Sequence, residues 1–256
     1  MNYLLSTSTF ESSSEESYEF FKIKSIYSMR SNIFLIEGEF DSNFYSPALF
    51  DYYGVNLPVT IKKSVYKRQA EFLAGRIAAQ HALLKLKYIG NNQVNIGESR
   101  APIWPMGTIG SISHTNERVF CIVGKTENIF GVGLDVEDHI PNDMLDIVKD
   151  QVVDESEFNL LLALETPVNI ALAIAFSAKE SLFKAVYSSV NEFFGFDIAK
   201  IKVLNILKNQ LILTLNEKFA EKHNIKKNYN ILFYYDKQIV KTLVVCDNKI
   251  RIGKDL

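Results

Sequence analysis

Apolar residues in this chain recur with two different periods, and the change of period divides it into elements. Residues 65–86 carry alanine and leucine at helical spacing, and 169–187 do the same with no glycine or proline, Leu172, Ala175, Phe176, Leu182, Phe183 and Val186 falling on one side. Both read as long helices. Short β-branched runs at 33–40, 119–124, 129–136, 201–207, 211–215, 231–235 and 239–246 read as strands, those at 119–124 and 129–136 as a consecutive pair. Residues 217–227 look helical, and their four lysines make an ordinary solvated face. Helices mixed with antiparallel-type strands in each half imply an α+β protein, divided into residues 1–140 and 141–256.

The strand at 129–136 carries unusual chemistry for its setting. Gly131-Val-Gly-Leu-Asp-Val-Glu137 is apolar except for Asp135 and Glu137, two positions apart and therefore on one face of a strand. Two buried like charges repel and lose hydration, a cost that a hard divalent cation or a cationic neighbour offsets. Mg²⁺ suits such a site, taking oxygen ligands from one or two carboxylates together with substrate phosphates. The segment alone leaves open that both acids simply face solvent at a strand end.

Lys179, Glu180 and Lys184 lie on the 169–187 helix, Glu180 and Lys184 in the favourable i,i+4 order. By themselves they read as a salt-bridged surface. Gly110-Ser-Ile-Ser113-His114 ends an apolar run with groups able to donate to phosphate oxygens, although a lone histidine is more often structural. Arg68 and Arg76 stand a little over two turns apart on the 65–86 helix, close enough for two guanidinium groups to converge on one polyanion.

Arg68…Arg76, Arg100-Ala-Pro-Ile-Trp-Pro, Gly110-Ser-Ile-Ser-His, Gly131-Val-Gly-Leu-Asp-Val-Glu and Phe176-Ser-Ala-Lys-Glu-Ser-Leu-Phe-Lys184, in that order, resemble the 4′-phosphopantetheinyl transferase superfamily, and within it the siderophore-type group. The resemblance runs over residues 66–187. It implies two similar α/β halves related by a pseudo-twofold, with coenzyme A in the cleft between them. Asp135 and Glu137 would come from one half, Glu180 and Lys184 from the other. Asp135, Glu137 and Glu180 match the Mg²⁺ ligands, a site that Mn²⁺ also suits. Lys184 matches the lysine on the cofactor's pyrophosphate. Ser113 and His114 match its phosphate contacts, and Arg68 and Arg76 the arginines on its 3′-phosphate. Arg100 and Lys179 are further cofactor contacts on the same resemblance. Phe176 stands where many relatives have tryptophan.

The implied reaction moves the 4′-phosphopantetheine arm of coenzyme A onto a serine of an apo peptidyl, aryl or acyl carrier protein and releases adenosine 3′,5′-bisphosphate. A serine hydroxyl needs a base, and Glu180 is the candidate, with Glu137 acting through a water on the metal as its competitor. Lys184 completes the catalytic set. A non-catalytic coenzyme A- or carrier-binding module is the alternative, but it would show a broken acid set. A paired-metal phosphatase would carry more ligands.

Composition narrows the setting. A chain of 256 residues with a net charge of −2 and 47% hydrophobic side chains is ordinary for a globular protein and gives no broad attraction to nucleic acid. The apolar stretch 160–176 is broken by Glu165, Pro167 and Asn169, which argues against a bilayer-spanning helix. No signal-peptide pattern opens the chain, residues 11–17 read as a solvated loop, and a cytoplasmic monomer is expected. Cys121 and Cys246, both in strand-like runs, read as buried thiols.

Overall fold

The structure, a computed structural model, describes residues 6–7, 20–97, 100–127 and 129–247. The acidic serine run at 11–17 lies outside these residues. The chain forms two compact units, residues 1–125 and 126–256.

Unit one contains β1 (Ser6–Thr7), β2 (Phe21–Arg30), β3 (Ile33–Phe40), α1 (Ala48–Tyr52), α2 (Val59–Lys62), α3 (Tyr66–Lys85), β4 (Asn95–Ile96), β5 (Pro102–Ile103), β6 (Thr108–Thr115) and β7 (Arg118–Lys125). Its main sheet is antiparallel with strand order β1-β2-β3-β7-β6, and β4 pairs only with β5. Helix α3 lies across β3, β7 and β6. Its small residues Ala70, Ala74, Ala78 and Ala82 alternate with Leu73, Ile77 and Leu83, all buried, so the helix seats closely on Ile36, Val119, Cys121 and Val123.

Unit two contains β8 (Ile129–Asp138), α4 (Leu145–Val152), α5 (Glu155–Leu162), α6 (Val168–Val190), β9 (Ala199–Asn205), β10 (Gln210–Leu215), α7 (Glu217–Lys222), β11 (Asn228–Tyr235) and β12 (Ile239–Asp247). A second antiparallel sheet has the order β8-β12-β11-β10-β9. Helix α6 runs along β8 and β12, with α4 and α5 packed on it in turn. Pro167 precedes α6, and Asn191 ends it in the left-handed region at φ 52°.

Both units therefore set a long helix on a five-stranded antiparallel sheet, and the α+β expectation holds. Two expectations need correction. The division falls after residue 125 rather than after 140, because β8 pairs along its whole length with β12. For the same reason β7 and β8 are not a pair: β7 sits between β3 and β6 in the other sheet. Alternating apolar residues mark both as strands, but partner choice depends on which residues far along the chain supply a matching edge. Helices α4 and α5 were not anticipated, although Asp154 and Glu157 form a capping box at the start of α5.

Both cysteines are buried free thiols, as expected, and burial pushes Cys246 up to about 12. The lysine-rich run holds only six helical residues, α7, and Lys222 and Lys227 pair with Glu192 and Glu217 on its solvated face. Among the described residues no helix is long and apolar enough to cross a membrane.

Candidate active site

The glycines of the β8 motif explain how its acids meet α6. A Cβ on Gly131 would stand 2.1 Å from the carbonyl oxygen of Ala185, and one on Gly133 would stand 1.7 Å from that of Ser181. The helix backbone thus rests directly on the strand, which only glycine permits. Strand alternation puts Asp135 and Glu137 on the same face as these glycines, under α6. Two hydroxyls fix the helix at the level of Asp135: Thr242, opposite Asp135 in the sheet, donates to the Ser177 carbonyl at 2.7 Å, and its oxygen lies 2.9 Å from Ser177 Oγ.

Lys184 leans from α6 onto the strand, as helical side chains point toward the preceding turn. Its Nζ donates to Asp135 Oδ1 at 2.6 Å and to the Leu134 carbonyl at 3.3 Å. The Asp135 side chain is only 3% exposed. Glu137 lies close enough to share a side-chain hydrogen bond with Asp135, and its carboxyl is pushed up to about 8, by burial first and by the Asp135 charge second, with Lys184 opposing. Glu180 is also raised, again by burial first and Asp135 second. At neutral pH Glu137 can therefore keep a proton and donate it to Asp135.

All four groups expected from the sequence at this site, Asp135, Glu137, Glu180 and Lys184, belong to unit two, which corrects their assignment to separate halves. Among the described residues no three acids or histidines stand gathered as a ready metal cage. The chemistry of the donor set nevertheless fits a hard divalent cation. The Asp135 charge adds to burial in raising the proton affinity of Glu137 and Glu180 beside a single lysine, and a cation that takes these carboxylate oxygens would displace the retained proton.

Beside Glu180 lies a hollow of about 200 Å³ walled by Phe183, Phe193, Phe194 and Phe196. Lys179 borders it too. Its ammonium donates to the Val152 carbonyl at 2.6 Å and the Phe196 carbonyl at 3.1 Å, and lies 2.8 Å from Glu157 Oε1. Burial pushes its pKa down. The expected cofactor contact through Lys179 is therefore replaced by an internal one, since burial behind α4 and α5 is a tertiary matter that a Lys-Glu-Lys pattern does not reveal.

Unit one holds a larger hollow, about 570 Å³, lined by Arg68, Arg76, Arg100 and His114 together with Glu71, Phe72, Ser64 and Ile112. Four of the five residues expected to bind phosphate there are brought together. Ser113 is not among the lining residues: it is buried and alternates with Ile112 and His114, so it points to the other face of β6. Arg76 is the best anchored. Its Nε donates to the Val94 carbonyl at 2.6 Å, its guanidinium lies 4.2 Å from the centre of the Phe72 ring, and burial lowers its pKa to about 10. Arg68 Nη1 lies 3.1 Å from His114 Nε2 and 3.2 Å from Glu71 Oε2. Since arginine can only donate, His114 accepts through Nε2 and carries its proton on Nδ1. Arg100 reaches the hollow from a left-handed backbone at φ 64°. Glu71 was missed from the sequence; its one signal is the i,i+3 spacing from Arg68.

A strand with two carboxylates beneath a helix that adds a third and a lysine, and a hollow edged by three arginines and a histidine, make up a protein equipped for anionic, phosphorylated ligands. Family models give this class its name. One for the 4′-phosphopantetheinyl transferase N-terminal domain matches residues 58–124, and one for the 4′-phosphopantetheinyl transferase superfamily matches residues 131–240. Enterobactin synthase component D of Salmonella typhi is 41% identical over 140 residues, 54% of this chain and 56% of that protein. The protein of that name from Escherichia coli O157:H7 is 35% identical over 162 residues, 63% of this chain and 74% of that protein. The chain belongs to the 4′-phosphopantetheinyl transferase superfamily and, within it, is of the siderophore type. The match spans little more than half the length of the Salmonella relatives. A crystal structure of a holo-(acyl-carrier-protein) synthase from Bacillus anthracis aligns at 21% identity with a TM-score of 0.37, covering 47% of this chain and 98% of that one.

Proposed function

We propose that this protein transfers the 4′-phosphopantetheine group from coenzyme A to a serine of an apo carrier protein, releasing adenosine 3′,5′-bisphosphate, in siderophore or other nonribosomal peptide synthesis. Family membership supports the reading, and the observation that carries it is the Lys184–Asp135 contact at 2.6 Å with Glu137 and Glu180 beside it. In this reading Asp135, Glu137 and Glu180 hold Mg²⁺, for which Mn²⁺ could substitute. Bound there, the ion would neutralise the negative charge that develops on the adenosine 3′,5′-bisphosphate as it leaves. Lys184 binds and orients a pyrophosphate oxygen, a role within reach because its side chain, while donating to Asp135 and the Leu134 carbonyl, remains 29% exposed. In unit one, Arg68, Arg76, Arg100 and His114 bind the phosphomonoester of the cofactor.

Glu180 is the group assigned to take the proton of the carrier serine: burial and the Asp135 charge raise its pKa above the ordinary carboxylate range, and Glu137, raised by the same causes, is its competitor. The uncharged arm of coenzyme A suits the aromatic hollow beside Glu180. A peptidyl or aryl carrier domain is the favoured acceptor, met by a monomer in the cytoplasm.

The test is the intact mass of an apo peptidyl carrier domain after incubation with this protein, coenzyme A and Mg²⁺. A gain of one phosphopantetheine, absent with chelator and with Asp135→Ala, is expected. No gain on any of several apo carriers would overturn the reading in favour of a binding protein.

A further inference from the structure

Lys179 and Glu157 form a buried ion pair in which each side chain is 2% exposed; Glu157 lies outside the site described above, and Lys179 only borders its aromatic hollow. An ammonium has three donors, and those of Lys179 go to Glu157, to the last residue of α4 (Val152) and to Phe196 in the turn before β9. Glu157 is equally engaged. Its Oε1 also accepts from the Ile201 N–H of β9 at 2.8 Å, and its Oε2 accepts from the Asp154 N–H at 3.0 Å. Five segments therefore meet on one pair: α4, α5, α6, the 196–198 turn and β9.

The position of this knot matters because Glu180 is the next residue on α6, and the Phe196 carbonyl held by Lys179 belongs to the aromatic wall beside Glu180. An apolar contact would let the helix slide or rotate against α4 and α5, because dispersion is not directional. A fully hydrogen-bonded ion pair has one satisfactory geometry, and any shift strands a buried charge.

We propose that Glu157 and Lys179 are positioning residues: they set where Glu180 and the Phe193–Phe196 wall stand, and act on transfer only through them. The inference rests on the proposed transferase reading, and its test includes an arm that does not. Three variants suffice: Glu157→Gln, Lys179→Met, and the double Lys179→Met/Glu157→Met, which removes both charges and recovers stability lost by the singles. With saturating apo carrier, kcat should fall by about a hundredfold in each, since a displacement of about 1 Å has that effect on a reacting group. KM for coenzyme A should change far less, by no more than about twofold in Glu157→Gln, because Glu157 is not among the residues lining the hollow and the ammonium of Lys179, which does line it, is taken up by Glu157 and two carbonyls. Thermal unfolding should show the double variant regaining stability without regaining kcat.

Recovery of kcat along with stability would make the pair merely structural and overturn the proposal. So would a rise of about tenfold in KM for coenzyme A in Lys179→Met alone, which is the signature of direct contact. If the wild-type protein transfers nothing, the transferase reading fails, and amide hydrogen exchange decides instead. Glu157→Gln should speed exchange in residues 179–184 and 194–201 while 66–85 keep wild-type protection; unchanged protection at 179–184 would overturn the positioning role.

Discussion

Replacing Gly133 by alanine adds one methyl group where α6 touches β8. The new Cβ would lie 1.7 Å from the Ser181 carbonyl oxygen. That atom belongs to the helix backbone, so no rotamer change relieves the clash. Restoring even a tight contact needs α6 to retreat by more than about 1 Å along its line of contact with the strand. Such a shift takes the Lys184–Asp135 bond from 2.6 Å beyond hydrogen-bonding range and loosens the packing of a helix whose buried residues include Leu172, Ile174 and Leu182. Overpacking in a close-packed core costs about 1–3 kcal/mol, and opening the ion pair at buried Asp135 adds to it, so about 3 kcal/mol or more is expected. Urea unfolding followed by far-UV circular dichroism reads this as a midpoint lowered by about 1–2 M. The sole tryptophan, Trp104, lies in unit one, so its fluorescence reports on that unit separately. Leu207→Ala is the control: Leu207 is fully exposed, and its loss should change stability by less than about 0.5 kcal/mol. A Gly133→Ala midpoint indistinguishable from that of Leu207→Ala would refute the reasoning about the helix–strand contact. Transfer activity, if the proposed reaction is correct, should fall by about a hundredfold from the same displacement.

Glu137 gives the metal-free protein an unusual pH dependence. Its folded-state pKa of about 8 lies above the ordinary 4.5, so between these values the folded protein keeps a proton that the unfolded chain has lost, and stability falls as pH rises across the window. Melting temperature in chelator should therefore decline from pH 5 to pH 8, flatten in Glu137→Gln, and recover with Mg²⁺; a wild-type profile that rises with pH would contradict it. Lys184→Met leaves Asp135 buried without its cation and should cost about 3–5 kcal/mol in chemical unfolding; an equal cost from Lys184→Met in an Asp135→Asn background would show that the ion pair is not the cause. Arg76→Ala should destabilise unit one through loss of the Val94 and Phe72 contacts, whereas Arg68, whose side chain is 40% exposed, should contribute less than about 1 kcal/mol. Arg68→Ala should instead weaken binding of coenzyme A while leaving its 3′-dephospho form unaffected; calorimetry showing equal loss for both would mean the arginine does not read that phosphate.

What the sequence alone determined is what short-range periodicity and local spacing encode. Helices α3 and α6 were legible within a few residues because their apolar spacing persists for five turns or more, and β3, β7, β8 and β12 because β-branched residues cluster there. The two-residue spacing of Asp135 and Glu137 already put both on one face of a strand, and the order of five motifs already carried the family resemblance. Tertiary structure decided the rest. It assigned β8 to the second sheet, because pairing is a contest among edges distant in sequence, and so gathered Asp135, Glu137, Glu180 and Lys184 into a single unit. It also sorted lysines of the same helix by environment. Lys184 meets a buried carboxylate while Lys179 is enclosed by carbonyls and Glu157, and the sequence around both is equally charged. It turned Ser113 away from the arginine-lined hollow that its neighbour His114 enters, because in a strand adjacent side chains point apart. Burial and electrostatic fields are sums over neighbours that only folding assembles, and the proton affinity of Glu137 is one such sum.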